Sequence, residues 1–150
     1  MITRRFFVAA AIALAATFAL PSVASDFPKG SPKFEKSYRS ALAEAKKSGK
    51  PVIVVFSASW CGPCQQMKKN TYPSAEVTPM HDKFVWAYLD TDEEANAEVA
   101  KQFKVAGIPH IEFLDKEGKS LGNQVGSAPA PAFAKTLEGI LKKAGGKAAE

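Results

Sequence analysis

Residues 52–56 read Val-Ile-Val-Val-Phe, an unbroken apolar run that is β-branched up to its last residue. A strand with one wet face alternates polar and apolar. A strand without alternation is buried on both faces, as the central strands of α/β sheets are. The rest of the chain must therefore cover two sides of a sheet. Phe34, Tyr38, Leu42 and Ala45 recur every three to four residues, with Glu35, Lys36, Arg39 and Lys46 on other faces. That spacing predicts a helix opening at Lys33, stopped by Ser48-Gly49-Lys50-Pro51 with Gly49 as the residue just past its end.

Beyond the apolar run, residues 57–59 form a loop, Trp60-Cys61-Gly62-Pro63-Cys64 follows, and residues 65–71 read as helix. Pro63 fits the first turn, where its missing N–H costs nothing. Pro73 ends or kinks that helix, and Pro79 limits residues 75–83 to a short or broken helical piece. Residues 84–90 predict a second strand and 93–103 a helix, with Thr91 or Asp92 placed to cap it. Residues 105–107 turn the chain into Ile108-Pro109-His110. Residues 111–114 are a third strand, 115–119 a hairpin turn, 120–125 a fourth strand, 131–143 the last helix, and 144–150 a frayed, flexible tail. There is no internal repeat. The expectation is an α/β fold: a central mixed β-sheet of about four strands with helices on both faces, parallel in its βαβ half and antiparallel at its hairpin.

The first 24 residues read as a cleaved signal peptide and are set aside from fold reasoning. Arg4 and Arg5 make a charged start, residues 6–20 are an uncharged apolar stretch, and Ser22-Val23-Ala24 offers the small residues a signal peptidase needs. Cleavage is expected after Ala24, with the position after Ser25 as the alternative. Fifteen apolar residues are short for a membrane span of about 20. Thr3-Arg4-Arg5-Phe6-Phe7 resembles a twin-arginine export signal, with Val8 where Leu is commoner, and an ordinary basic start remains the alternative. The expected location is the periplasm of a Gram-negative cell; a Gram-positive cell exterior is the other option. Residues 25–32 then form a linker, and 33–143 the folded domain. Removing the leader leaves 18 basic residues against 15 acidic ones, a net charge of +3. That is too weak to argue for nucleic acid, and the lysine pairs at 46–47, 68–69 and 142–143 read as solvated helix faces.

The chain holds two cysteines, separated by two residues. A secreted domain stapled by disulfides spreads four or more along its length. Closing so short a loop removes little entropy from the unfolded chain, so chemistry explains this pair better than stapling. Disulfide exchange needs a thiolate, and Cys61 falls between a strand end and a helix start, where unsatisfied N–H groups and the positive helix end favour its anion. Cys64 completes nearly one turn and comes beside it. Cys61 is expected to attack a disulfide and Cys64 to resolve the mixed disulfide. Gly62-Pro63 places no cation or His between the thiols, which leaves the thiolate less stabilised and makes the couple more reducing.

Val-Val-Phe-Ser-Ala-Ser-Trp-Cys-Gly-Pro-Cys, residues 54–64, resembles the active-site strand and loop of the thioredoxin family, and the likeness covers roughly residues 33–143. It implies a thioredoxin fold and a protein-disulfide reductase with Cys61 and Cys64 as catalytic residues. Trp60, Gly62, Pro63, Ile108 and Pro109 would then contact substrate. Gly107-Ile108-Pro109 is similar to the family's cis-proline loop, whose backbone pairs with an incoming peptide. Gly126 matches a glycine on the same surface. The helix at 65–72 looks more like that of the periplasmic thioredoxin-like reductases than of cytosolic thioredoxin. The resemblance also implies protein disulfides as substrates, a membrane electron-transfer protein as donor, no resident cofactor or metal, and a monomer.

Three positions depart from the family. Val55 stands where a buried Asp takes the proton of the second cysteine, Lys68 where some periplasmic relatives keep a second acid, and the usual neighbouring Lys falls near Trp86. Water or His110 is then the acceptor open to Cys64, although we favour reading His110 as a strand residue with no catalytic duty. Among rival chemistries, Gln65 replaces the His of a haem-attachment motif. A zinc site would need His81 and His110 as its further ligands, and the two are not clustered. Copper(I) delivery through the same thiols finds Met67, Met80 and His81 scattered. A non-catalytic binding or chaperone module on the same fold is the last alternative; it leaves the two thiols unexplained. Trp86, Phe56 and Phe113 read as packing residues.

Overall fold

The computed structural model describes residues 27–146. The expected signal peptide and its cleavage point lie outside the described residues. The elements are β1 (Phe34–Glu35), α1 (Tyr38–Ser48), β2 (Val52–Ser57), α2 (Gly62–Gln66), β3 (Val85–Asp90), α3 (Ala97–Gln102), β4 (His110–Leu114), β5 (Ser120–Val125) and α4 (Ala130–Gly146). The sheet runs β1-β3-β2-β4-β5. β1 and β2 pair parallel with β3, while β4 pairs antiparallel with β2 and β5. The unbroken apolar strand is thus the middle one, buried at every residue.

The sheet has five strands, one more than expected. Residues 34–35 form a short parallel edge with β3 instead of opening the first helix. That helix starts at Tyr38, because Ser37 is extended and its Oγ accepts the Ser40 N–H at 3.1 Å. The helix after the cysteines also differs. It is α-helical only to Gln66 and then widens into a π turn over Met67–Thr71, with the Tyr72 N–H donating to the Met67 carbonyl at 3.0 Å. The segment 93–103 opens as a 3-10 turn, Glu94–Asn96, and neither Thr91 nor Asp92 caps it; Glu93 occupies the cap position, and its side chain accepts from Asn96 Nδ2 without capping a backbone N–H. The last helix continues through Gly146, so residues 144–146 of the expected tail are helical.

The alternation hidden inside β2 divides the core. Ile53 and Val55 face a layer built from Met67, Tyr72, Trp86, Phe113, Phe133 and Leu137, under α2 and α4. Val52, Val54 and Phe56 face Ala41, Ala45, Leu89 and Leu114, under α1 and α3. Residues before β1 also belong to the fold: the Phe27 ring stacks on Phe34 at 4.4 Å and meets Tyr88 edge-on at 4.9 Å.

Tyr72 is fully buried beside Trp86 and Phe133, and burial pushes its phenol far above the ordinary tyrosine value, with Tyr88 adding to the rise. The unfolded chain gives up this proton near pH 10; the folded chain keeps it. Stability is therefore fully present below pH 10 and falls as pH rises further, by up to about 1.4 kcal/mol per pH unit for this one group. In urea unfolding between pH 9 and 11, Tyr72→Phe is expected to show a shallower decline than the wild type. Parallel declines would show that Tyr72 is not the cause.

Candidate active site

β2 ends at Ser57, the chain crosses Ala58 and Ser59 to the exposed Trp60, and α2 begins. Cys61 is the extended N-cap residue of α2, and its Sγ accepts the Cys64 N–H at 3.2 Å. The two sulfurs are bonded, 2.09 Å apart, with the Cα atoms 5.2 Å apart. Both cysteines are nearly covered, Cys61 at 5 % exposure and Cys64 at 2 %. When the bond opens, the Cys64 N–H is already aimed at the Cys61 sulfur, where it can bond a thiolate. The loop is fastened at the Ala58 carbonyl, which accepts from the Cys61 N–H at 3.2 Å and from Gln65 Nε2 at 3.0 Å. Gly62 and Pro63 lie exposed on the outer side of the first turn.

The Ile108–Pro109 peptide is cis. Ile108 is half-buried and packs against Ala58, Cys61 and Cys64. The Pro109 carbonyl accepts the Gly126 N–H at 2.8 Å. Gly126 has φ of 91°, which a side chain would resist. Of the expected substrate contacts, Ile108 is packed against the two cysteines, Trp60, Gly62 and Pro63 adjoin them along the chain, and Pro109 is tied to Gly126.

Residues that the sequence reading used elsewhere hold this site. The Trp60 indole, 69 % exposed, donates to Asp92 Oδ2 at 2.8 Å. The Thr91 N–H and hydroxyl both donate to the Ser57 carbonyl, at 2.8 and 3.2 Å. The expected capping residues of α3 therefore tie the loop after β3 to the loop after β2. The neighbour of Val55 across β2 and β3 is Tyr88, whereas Trp86 pairs with Ile53.

His110 is not brought to the dithiol. Its ring lies edge-on to Phe56 at 5.8 Å, and its Nε2 is 3.1 Å from Glu112 Oε2. Glu112 Oε1 accepts from the Ser120 hydroxyl at 2.5 Å. His110 and Glu112 are buried on the Phe56 side of the sheet, opposite Val55 and α2. Among the described residues no cluster of three His, Cys, Asp or Glu is placed to hold a metal ion. Met67 and Met80 are buried in the core, and His81 Nε2 sits 2.7 Å from the Tyr72 carbonyl.

A bonded cysteine pair at a helix start, following the central strand of a five-stranded mixed sheet and packed against a cis-proline loop, defines the thioredoxin fold with its dithiol–disulfide centre. Comparison with known proteins agrees. The Thioredoxin-like domain family matches residues 38–141. The thiol:disulfide interchange protein DsbD of Pseudoalteromonas atlantica is 33 % identical over 129 residues, covering 80 % of this chain and 22 % of that protein. The chloroplastic thioredoxin-like protein HCF164 of Oryza sativa subsp. japonica is 32 % identical over 146 residues, covering 97 % and 53 %. A thioredoxin from Thermus thermophilus superposes with a TM-score of 0.69 at 30 % identity, over 77 % of this chain and 91 % of that one. The chain belongs to the thioredoxin-like domain family. It spans only about a fifth to a half of the two curated relatives just named.

Proposed function

We propose that this chain is an exported thiol–disulfide oxidoreductase that reduces protein disulfides through Cys61 and Cys64. The observation that carries the reading is the Cys64 N–H directed at Cys61 Sγ, at a helix start beside the Ile108–Pro109 loop. In the reduced protein the Cys61 thiolate attacks a substrate disulfide. One substrate sulfur leaves as a thiolate and the other joins Cys61. Cys64 then attacks Cys61 Sγ, the second substrate sulfur leaves, and the protein keeps the disulfide. Two electrons and two protons pass to the substrate. Ile108 offers the backbone edge for docking, since the Pro109 carbonyl is already taken by Gly126. Trp60 flanks the thiols as a contact surface.

The compartment is the bacterial periplasm on this reading. That space is held oxidising, so a membrane electron-transfer protein must return electrons to the pair. The relatives include proteins named for thiol:disulfide interchange, which supports a place in such a chain. Copper(I) delivery gains no support from Met67 and Met80, which are buried in the core, or from His81, whose Nε2 lies against the Tyr72 carbonyl.

Equilibration with glutathione buffers tests the direction of the reaction. The Cys61/Cys64 couple is expected nearer the value of about −270 mV for a reducing thioredoxin than the about −120 mV of a strong oxidant. Insulin reduction is expected to be lost in Cys61→Ser. A couple near the oxidant end, or reduction that survives Cys61→Ser, overturns the assignment.

A further inference from the structure

The resolving step needs somewhere for the Cys64 proton to go. Val55 supplies no carboxylate, Lys68 stands one turn past Cys64, and His110 faces the other side of the sheet. The α2 side of the sheet does carry two hydroxyls that no role above uses. Ser57, two residues beyond Val55 and on the same face, is completely buried, and its Oγ lies 2.6 Å from Tyr88 Oη. Tyr88 is the residue beside Val55 across the sheet.

Neighbouring residues connect this pair to the turn that carries Cys64. Gln65, the next residue, reaches the Ala58 carbonyl and also interacts with the Tyr88 hydroxyl. Lys68 Nζ is 6.0 Å from the Tyr88 ring centre, and residues 64, 65 and 68 share one flank of their helix. Ala58, joined to Ser57, packs directly against Cys61 and Cys64. Phe27 and Phe34 hold the ring from outside, at 4.9 and 5.4 Å. The half-buried Tyr88 thus links a sealed hydroxyl to solvent.

We propose that the Ser57–Tyr88 hydroxyl pair relays the proton of Cys64 during resolution of the mixed disulfide, in place of a carboxylate base. The inference rests on the redox function proposed above. As the Cys64 S–H passes its proton to the pair, the pair passes one of its own to water at the Tyr88 side. The Cys64 sulfur attacks Cys61 Sγ. The bond between Cys61 and the substrate sulfur breaks, and the electron pair leaves on the substrate thiolate, which takes a proton from water. The pair ends as it began, neutral. Burial raises the Tyr88 phenol above its ordinary value, and Asp90 adds to this, against the hydrogen bonds from Ser57 and Gln65 that lower it. Tyr88 therefore stays protonated and bridges the proton rather than storing it. The charged groups beside it are Lys68 from the helix and Asp90 from β3.

The reduced protein mixed with 5,5′-dithiobis(2-nitrobenzoate) releases two coloured thiolates in succession. The first reports attack by Cys61, and the second reports resolution by Cys64. Tyr88→Phe keeps the ring contacts and removes Oη, while Ser57→Ala removes the inner hydroxyl. Both variants are expected to leave the first phase unchanged and slow the second about a hundredfold near pH 7, at the low end of proton-transfer effects. The deficit is expected to shrink as pH rises, because hydroxide then takes the thiol proton without help. A second phase equal to wild type at every pH overturns the relay. A slowing by the same factor at every pH also overturns it, because disturbed packing would act that way. If the wild type shows no first phase, the redox function itself falls, and the relay with it.

Discussion

Replacing Cys64 with alanine is expected to turn this protein from a turnover catalyst into a trap. Cys61 keeps its place at the start of α2 in that variant, and attack on a disulfide proceeds. The Cys64 backbone N–H that bonds the Cys61 sulfur belongs to the main chain and survives the substitution. Only the second sulfur is gone, so the mixed disulfide has no internal way to resolve. Turnover should fall by on the order of 10³ or more, as expected when one of two groups acting as a unit is removed. Expressed in the native host, Cys64→Ala should accumulate covalent adducts that disappear on reduction, and mass spectrometry of those adducts would name the substrates. Cys61→Ala should form none. Adducts that form equally on both variants would mean that Cys61 is not the attacking thiol.

The largest loss of stability is expected from Trp86→Ala. Trp86 is 1 % exposed and stands where both parallel pairings of β3 meet the core. Phe34, Tyr72, Phe84 and His81 meet its ring close to edge-on, and its indole N–H donates to the His81 carbonyl at 3.2 Å. Removing the ring empties the centre of one core layer and leaves the His81 carbonyl short of a donor. The cost is expected at about 3–5 kcal/mol, a large part of a typical total of about 5–15 kcal/mol. Urea unfolding measures it, with Trp60→Ala as the control. Trp60 is mostly exposed, so its loss is expected to cost less than about 1 kcal/mol. Similar costs for the two would contradict the packing described.

The central strand and its dithiol were legible because their signals are local. Five apolar residues without alternation, and two cysteines at a strand-to-helix turn, need no distant partner to be recognised. β1 was missed because two residues have no period. The π turn was missed because α and π spacing hardly differ over the five residues from Met67 to Thr71. Thr91 and Asp92 stand where caps stand, and only the fold reveals that their partners are Ser57 and Trp60, more than thirty residues earlier. The Ser57–Tyr88 pair was hidden for a related reason. It depends on the register between β2 and β3, and a shift of two residues separates Tyr88 from the Trp86 position that the sequence suggested.

The two tryptophans also make the molecule its own optical instrument. Trp60 is exposed to water, next to Cys61 and four residues before Cys64, so its emission is expected to be red-shifted and to respond to the state of the sulfurs. Trp86 is sealed among aromatic rings, so its emission is expected to be blue-shifted and to change when the core opens. With no other tryptophan in the chain, one unlabelled sample can report oxidation at one wavelength and unfolding at another.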